Sequence, residues 1–193
     1  MITTPFYSPS TVNQVTIPNE VTGYDSISWQ HLENISNNDA YALTVKPLYT
    51  ISGLWMEKFL SNTNQIWCTN LQIPASVNTL QGIELQLNIQ RQARIEDLII
   101  QLTLDGELIG DNLASTVNPV QSDMYTGEVT IPLNPVGDYN IYGDSANLWG
   151  TTLNSTAVAN STFGFVLSFK SNIIYPHKDL AYINQVGLRV TYA

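Results

Sequence analysis

Apolar residues recur at every second position in three separated stretches. Gly82-Ile-Glu-Leu-Gln-Leu-Asn-Ile-Gln90 puts Ile83, Leu85, Leu87 and Ile89 on one side of an extended chain. Phe163, Phe165, Leu167 and Phe169 align in the same way, and so do Val186, Leu188, Val190 and Tyr192. Side chains alternate across a strand, so this period predicts strands with one buried face. Leu98-Ile-Ile-Gln-Leu-Thr-Leu104 is more continuously apolar and runs into Asp105-Gly106, the dipeptide of tight hairpin turns. Glu107-Leu-Ile109 is expected to begin the return strand. Shorter strands are expected over 27–29, 41–45, 65–73 and 125–131. No helical spacing persists past two turns.

Between these strands, 133–162 reads as a long irregular connection with Pro135, Gly137, Gly143 and Gly150. A short helix is expected near 156–159, capped by Asn154 or Ser155. Residues 1–22 carry Pro5, Pro9 and Pro18, which deny a ladder its donors. They are expected to form an extended N-terminal arm or an edge segment, leaving 23–193 as the folded domain. The fold class that follows is all-β: an antiparallel β-sandwich with Greek-key, jelly-roll-like topology. The last strand is expected to lie centrally in its sheet.

Composition narrows the function classes. The chain has 193 residues, enough for one full core. Only 12% are charged, and 7 Lys+Arg against 16 Asp+Glu give a net charge of −9. Phosphate recognition needs clustered basic residues, so no nucleic acid is expected as a partner. No run approaches the roughly 20 apolar residues of a membrane span. Nor does Met1-Ile-Thr-Thr-Pro-Phe6 have the basic start of a signal peptide, so synthesis in a cytoplasm is expected. Low charge also suits surfaces that become buried in an assembly.

Little in the sequence points to catalysis. His31 and His177 stand apart, outside any zinc-ligand spacing, and read as loop residues. A Ser–His–Asp triad is a matter of geometry, but there is no G-x-S-x-G elbow to raise it. Cys68 stands in a strand-like run and reads as a buried structural residue; as the one cysteine it allows no internal disulfide. Glu96 and Asp97 are adjacent, so a strand would aim them at opposite faces, which is poor geometry for a glycosidase pair. Asp105, Glu107 and Asp111 surround a turn and read as a solvated tip, with calcium the minor alternative. The sequons at Asn34, Asn154 and Asn160 are expected by chance in an Asn-, Ser- and Thr-rich chain. No enzyme activity, cofactor or metal is expected. Trp29, Trp55, Trp67 and Trp149 could form a stacking platform for a sugar, although packing is the commoner use of such rings.

Four ordered segments carry a resemblance. They are Ile73-Pro74 with Leu80-Gln-Gly-Ile83; Ile95–Leu102 leading to Asp105-Gly106, Ile109-Gly110, Asn112 and Ala114; Asn147-Leu-Trp-Gly150 with Leu153, Val158-Ala-Asn160 and Phe163–Leu167; and the ending 181–192. Together they resemble the jelly-roll modules of bacteriophage virion proteins, found in tail, fibre, baseplate and capsid-decoration components. The likeness spans about 24–192. Asn147 departs from it, standing where such modules often carry an acidic residue. The resemblance implies a non-enzymatic structural protein of the virion, made in the host cytoplasm. Its expected partners are other virion proteins and copies of itself, in a cyclic assembly with a trimer preferred. Pro5, Phe6, Tyr7 and Pro9 are the expected anchoring residues of the arm, adding a strand to a neighbour's sheet. The alternative is a carbohydrate-recognition module for a host surface glycan, with Tyr139, Tyr142 and Trp149 as its ligand residues. Acidic residues fall in the expected turns, 105–111 and 138–144, which would mark the rims left in water.

Overall fold

A computed structural model describes residues 1–17, 26–36, 42–45, 61–91, 95–114, 139–171 and 180–193. The strand expected over 125–131, together with Trp55 and His177, lies outside these residues. So does the expected boundary after residue 22.

The described strands are β1 (Ile2–Thr3), β2 (Thr11–Val15), β3 (Trp29–Gln30), β4 (Ala42–Val45), β5 (Ser61–Asn62) and β6 (Gln65–Thr69). After these come β7 (Leu80–Arg91), β8 (Ile95–Leu104), β9 (Glu107–Ile109), β10 (Tyr139–Asp144), β11 (Gly164–Ser171) and β12 (Leu180–Tyr192). A 3-10 turn, Leu32–Ser36, and one short helix, α1 (Ser155–Val158), complete the elements. Asn154 caps α1 as expected, its side chain accepting the Ala157 N–H at 2.9 Å.

Two antiparallel sheets result. The first runs β10-β7-β12-β4-β3, with β1 also on β12; the second runs β2-β6-β11-β8-β9, with β5 also on β11. The long alternating strands hold the middle of each sheet. In the first, Ile83, Leu85 and Leu87 oppose Val190, Leu188 and Val186, so both apolar rows point the same way. In the second, Phe165 and Leu167 stand beside Leu102 and Ile100, and beside Cys68 and Ile66. All of these side chains are buried in one cluster shared by the two sheets. Trp29 of β3 meets Phe169 of β11 edge to face across it, with ring centroids 5.8 Å apart. The fold is therefore the expected all-β, two-sheet antiparallel arrangement, and β12 lies between β7 and β4 as expected.

The hairpin forms where the sequence placed it. Asp105 (φ 53) and Gly106 (φ 83) both take left-handed backbone between β8 and β9, as a type I′ turn requires. The connection expected to be irregular over 133–162 instead contains β10. Its sequence Tyr-Asn-Ile-Tyr-Gly-Asp hides the strand, because buried Tyr142 is flanked on its own side of the strand by polar Asn140 and Asp144 while Ile141 is exposed.

Candidate functional site

Of the three residues expected to bind a glycan, two are buried. Trp149 has no exposed surface and Tyr142 is 8% exposed. Trp149 sits in a turn with left-handed backbone (φ 56), followed by Gly150 (φ 68). Its indole N–H donates to the Ile83 carbonyl at 2.9 Å, and its own carbonyl accepts the Asp111 N–H at 2.6 Å. It therefore ties the start of β7 in one sheet to the chain just after β9 in the other. Gly143 makes the space: a Cβ there would come 2.6 Å from the indole nitrogen. Tyr142 donates its hydroxyl to buried Asp97 at 2.8 Å, again from one sheet to the other. Tyr139 opens β10 opposite Asn88. The expected ligand role is corrected for Tyr142 and Trp149: the burial that makes large aromatics stabilising has turned these two into cross-sheet struts.

The other candidates take structural or surface positions. Cys68 is buried in the core, and burial pushes its thiol well above the ordinary range. His31 is exposed and within 3.3 Å of exposed Glu33. A backbone hydrogen bond, followed by smaller contributions from His31, lowers the Glu33 carboxyl. Asp105, Glu107, Asp111 and Asp144 are exposed, as expected of solvated turns. Glu84 and Asp97, by contrast, are buried within strands, so acidic residues are not confined to the rims. Among the described residues, no group of three or more His, Cys, Asp or Glu could hold a metal ion. No helix among them is long and apolar enough to cross a membrane.

The N-terminal residues form the most elaborate polar site. Of the two expected forms, arm or edge segment, residues 1–15 take the second, because this segment pairs with both sheets along one side. β1 pairs with β12, matching Ile2 to Tyr192 and Thr3 to Thr191, and Tyr7 bridges to Leu188. β2 then pairs with all of β6 in the other sheet. Pro5 and Pro9 lack the N–H of a continuous ladder. Pairing is accordingly carried by Thr4, Tyr7 and Ser10, whose N–H groups donate to the carbonyls of Val190, Leu188 and Asn70.

Side chains fix the register of this segment. Phe6 rests against Gly187, where an added Cβ would come 3.2 Å from the Phe6 Cβ. The Arg189 guanidinium lies 4.6 Å from the Phe6 ring centroid. It is itself held by a two-pronged pair to Glu84, at 2.9 and 2.8 Å, which also raises the Arg189 pKa. Further along, Gln14 behaves as a piece of strand edge. Its oxygen accepts the Trp29 N–H at 2.9 Å and its amide donates to the Trp29 carbonyl at 3.2 Å. Asn64 donates to the same Gln14 oxygen at 3.0 Å and accepts from Ser26 at 2.5 Å. Ser26 in turn accepts the Ile17 N–H at 2.8 Å. Nothing in the sequence singles out Gln14, Ser26, Asn64, Glu84, Gly187 and Arg189 as parts of one site. Glu84 and Arg189 were visible as opposite charges on the outer faces of alternating strands, but only the register of β7 on β12 brings them together.

No known protein family, curated protein or solved structure matches this chain.

Proposed function

We propose that this chain is a non-enzymatic structural protein of a bacteriophage virion, present in multiple copies and joined to its neighbours through weakly charged surfaces. Taken in chain order from β4, and leaving out β5, eight strands are divided between the sheets. The first, eighth, third and sixth form β4-β12-β7-β10, and the second, seventh, fourth and fifth form β6-β11-β8-β9. This interleaving is the basis for reading the sandwich as a jelly roll, an architecture used by capsid and lectin domains among others. Fold alone does not give function.

The observation that carries the assembly reading is the outer face of the second sheet. Register aligns Asn13, Trp67, Val166 and Gln101 in one row, and Val15, Gln65, Ser168 and Ile99 in roughly the next. On the other side stand Thr11, Thr69, Gly164, Thr103 and Leu108. None of these is charged, in a chain whose net charge is −9. Among the described residues of these strands, charged groups stand at the ends, with Asp105 and Glu107 at the hairpin and the Lys170–Glu96 pair at 3.2 Å opposite. Val166, Ser168 and Thr103 are already buried, while Asn13, Val15 and Leu108 are exposed at the two flanks. Depletion of charge is the compositional mark of interface cores. The test is gold-labelled antibody and quantitative mass spectrometry on purified phage particles. The expected result is the chain on the particle at a fixed multiple copy number. A chain abundant in the lysate but missing from particles sinks the reading.

A further inference from the structure

Residues 1–15 cover two sheet edges yet contribute almost nothing to the core. Among the described residues, the buried cluster begins at Trp29; the segment adds part-buried Tyr7 and Val12 at its margin, and its Pro9 is buried. Met1, Ile2 and Val15 remain exposed. Lifting the segment away would remove no residue of the buried cluster itself, and would uncover the backbone of β12 near Leu188 and Val190 and that of β6. Uncovered strand edges are templates for another strand. The features that recognise the segment all stay behind on the domain: the space above Gly187, the Arg189 guanidinium fixed by Glu84, and the Trp29 and Asn64 groups that meet Gln14. Every matching partner lies on the segment. The connection from Ile17 to Ser26 consists of eight residues and includes Pro18 and Gly23.

We propose that residues 1–15 are an exchangeable arm, and that the cradle on β12 and β6 accepts this arm from a second copy of the chain. The proposal rests on the multi-copy reading above and names the contact that reading needs. Ladder bonds and the Phe6 and Gln14 contacts are the same whether the arm comes from its own domain or another. The balance is therefore set by concentration: a tethered arm competes at its effective concentration, and crowding of copies favours exchange. Phe6 and Gln14 select this chain's own arm over an unrelated strand, because they fill positions that backbone pairing alone leaves empty.

Thr3 and Thr191 provide the readout, since their hydroxyls lie 3.1 Å apart. Full-length chain carrying Thr3→Cys and Thr191→Cys is prepared in isotopically heavy and light forms. The two are mixed, unfolded in urea, refolded together from micromolar to millimolar concentration, oxidised and digested. The expected result is heavy–light peptides linked through positions 3 and 191, rising toward half of all linkages as concentration increases. Links that join only heavy to heavy and light to light at every concentration overturn the proposal. Co-expression of a tagged and an untagged variant covers a failure to refold, with a tagged–untagged disulfide pair expected and same-chain links alone counting against exchange. Both experiments use purified chain. Exchange without incorporation into particles sinks the virion reading alone, and incorporation with same-chain links only sinks exchange alone.

Discussion

Trp149 shows how one residue's surroundings decide its use. Its indole is buried and bonded to the Ile83 carbonyl, and the space for it depends on Gly143 (φ 75). A methyl at position 143 would meet both the Ile83 carbonyl oxygen and the indole nitrogen, on backbone that L-residues avoid. Gly143→Ala should therefore cost about 3 kcal/mol in a urea titration. Gly106→Ala is the control: it has similar backbone (φ 83) but open space around it, and should cost about 1 kcal/mol. Tyr192 is a different case. It is 4% exposed, and its hydroxyl finds no hydrogen-bond partner among the described residues. Burial, and then the neighbouring Tyr7, raise its pKa above the ordinary value near 10. The unfolded chain thus ionises this phenol first. Its stabilising contribution is complete below about pH 10 and is lost as pH rises through the folded value. Tyr192→Phe should be neutral or stabilising by up to about 1 kcal/mol at pH 7. Its advantage over the natural chain should widen above pH 10, as read from melting temperature against pH.

At the scale of elements, legibility followed the environment of each strand. β7, β11 and β12 were plain in the sequence because their inner residues are all apolar. β8 and β9 were plain because Asp105-Gly106 joins them. β10 and β2 were not. β10 places Tyr142 and a core-facing hydrogen bond to Asp97 where an apolar residue would have shown the period. β2, Thr-Val-Asn-Gln-Val, is an edge strand anchored by the Gln14 amide rather than by apolar burial. Proline in 1–9 correctly indicated a broken ladder, but could not say that the chain bridges the breaks with Thr4, Tyr7 and Ser10. The site was less legible than the fold. Tyr142 and Trp149 looked like binding residues by type alone, whereas the arm's recognition elements are distributed over β3, β6, β7 and β12. A test at this scale is a stop codon in place of Tyr192. It removes the partner of Leu80 and Ile2 at the end of the central strand, and should lower the melting temperature by several degrees. An unchanged transition would show that the end of β12 carries no load.

For the whole molecule, the distribution of charge makes a sharper prediction than its total. Asn13 is exposed on the uncharged outer face of the second sheet and opposes Trp67. Asn13→Glu should leave the melting temperature within about a degree, because surface substitutions are nearly neutral. Placing an unpaired carboxylate in an interface should nevertheless reduce incorporation into particles at least about tenfold in competition with the natural chain. Equal incorporation would move the contact to another face. The central position of β12 has a further consequence, which concerns time. This strand is seated only when β4 and β7 are together, and its last residues then take up β1, with Thr3 and Thr191 188 positions apart. Loop closure over such distances must precede any reward from pairing, so folding should be slow for a protein of this size. Until β12 arrives, β4 and β7 present open edges. The interval before closure is when the chain is most exposed to wrong partners, and also when an arm from a neighbouring copy has its easiest entry.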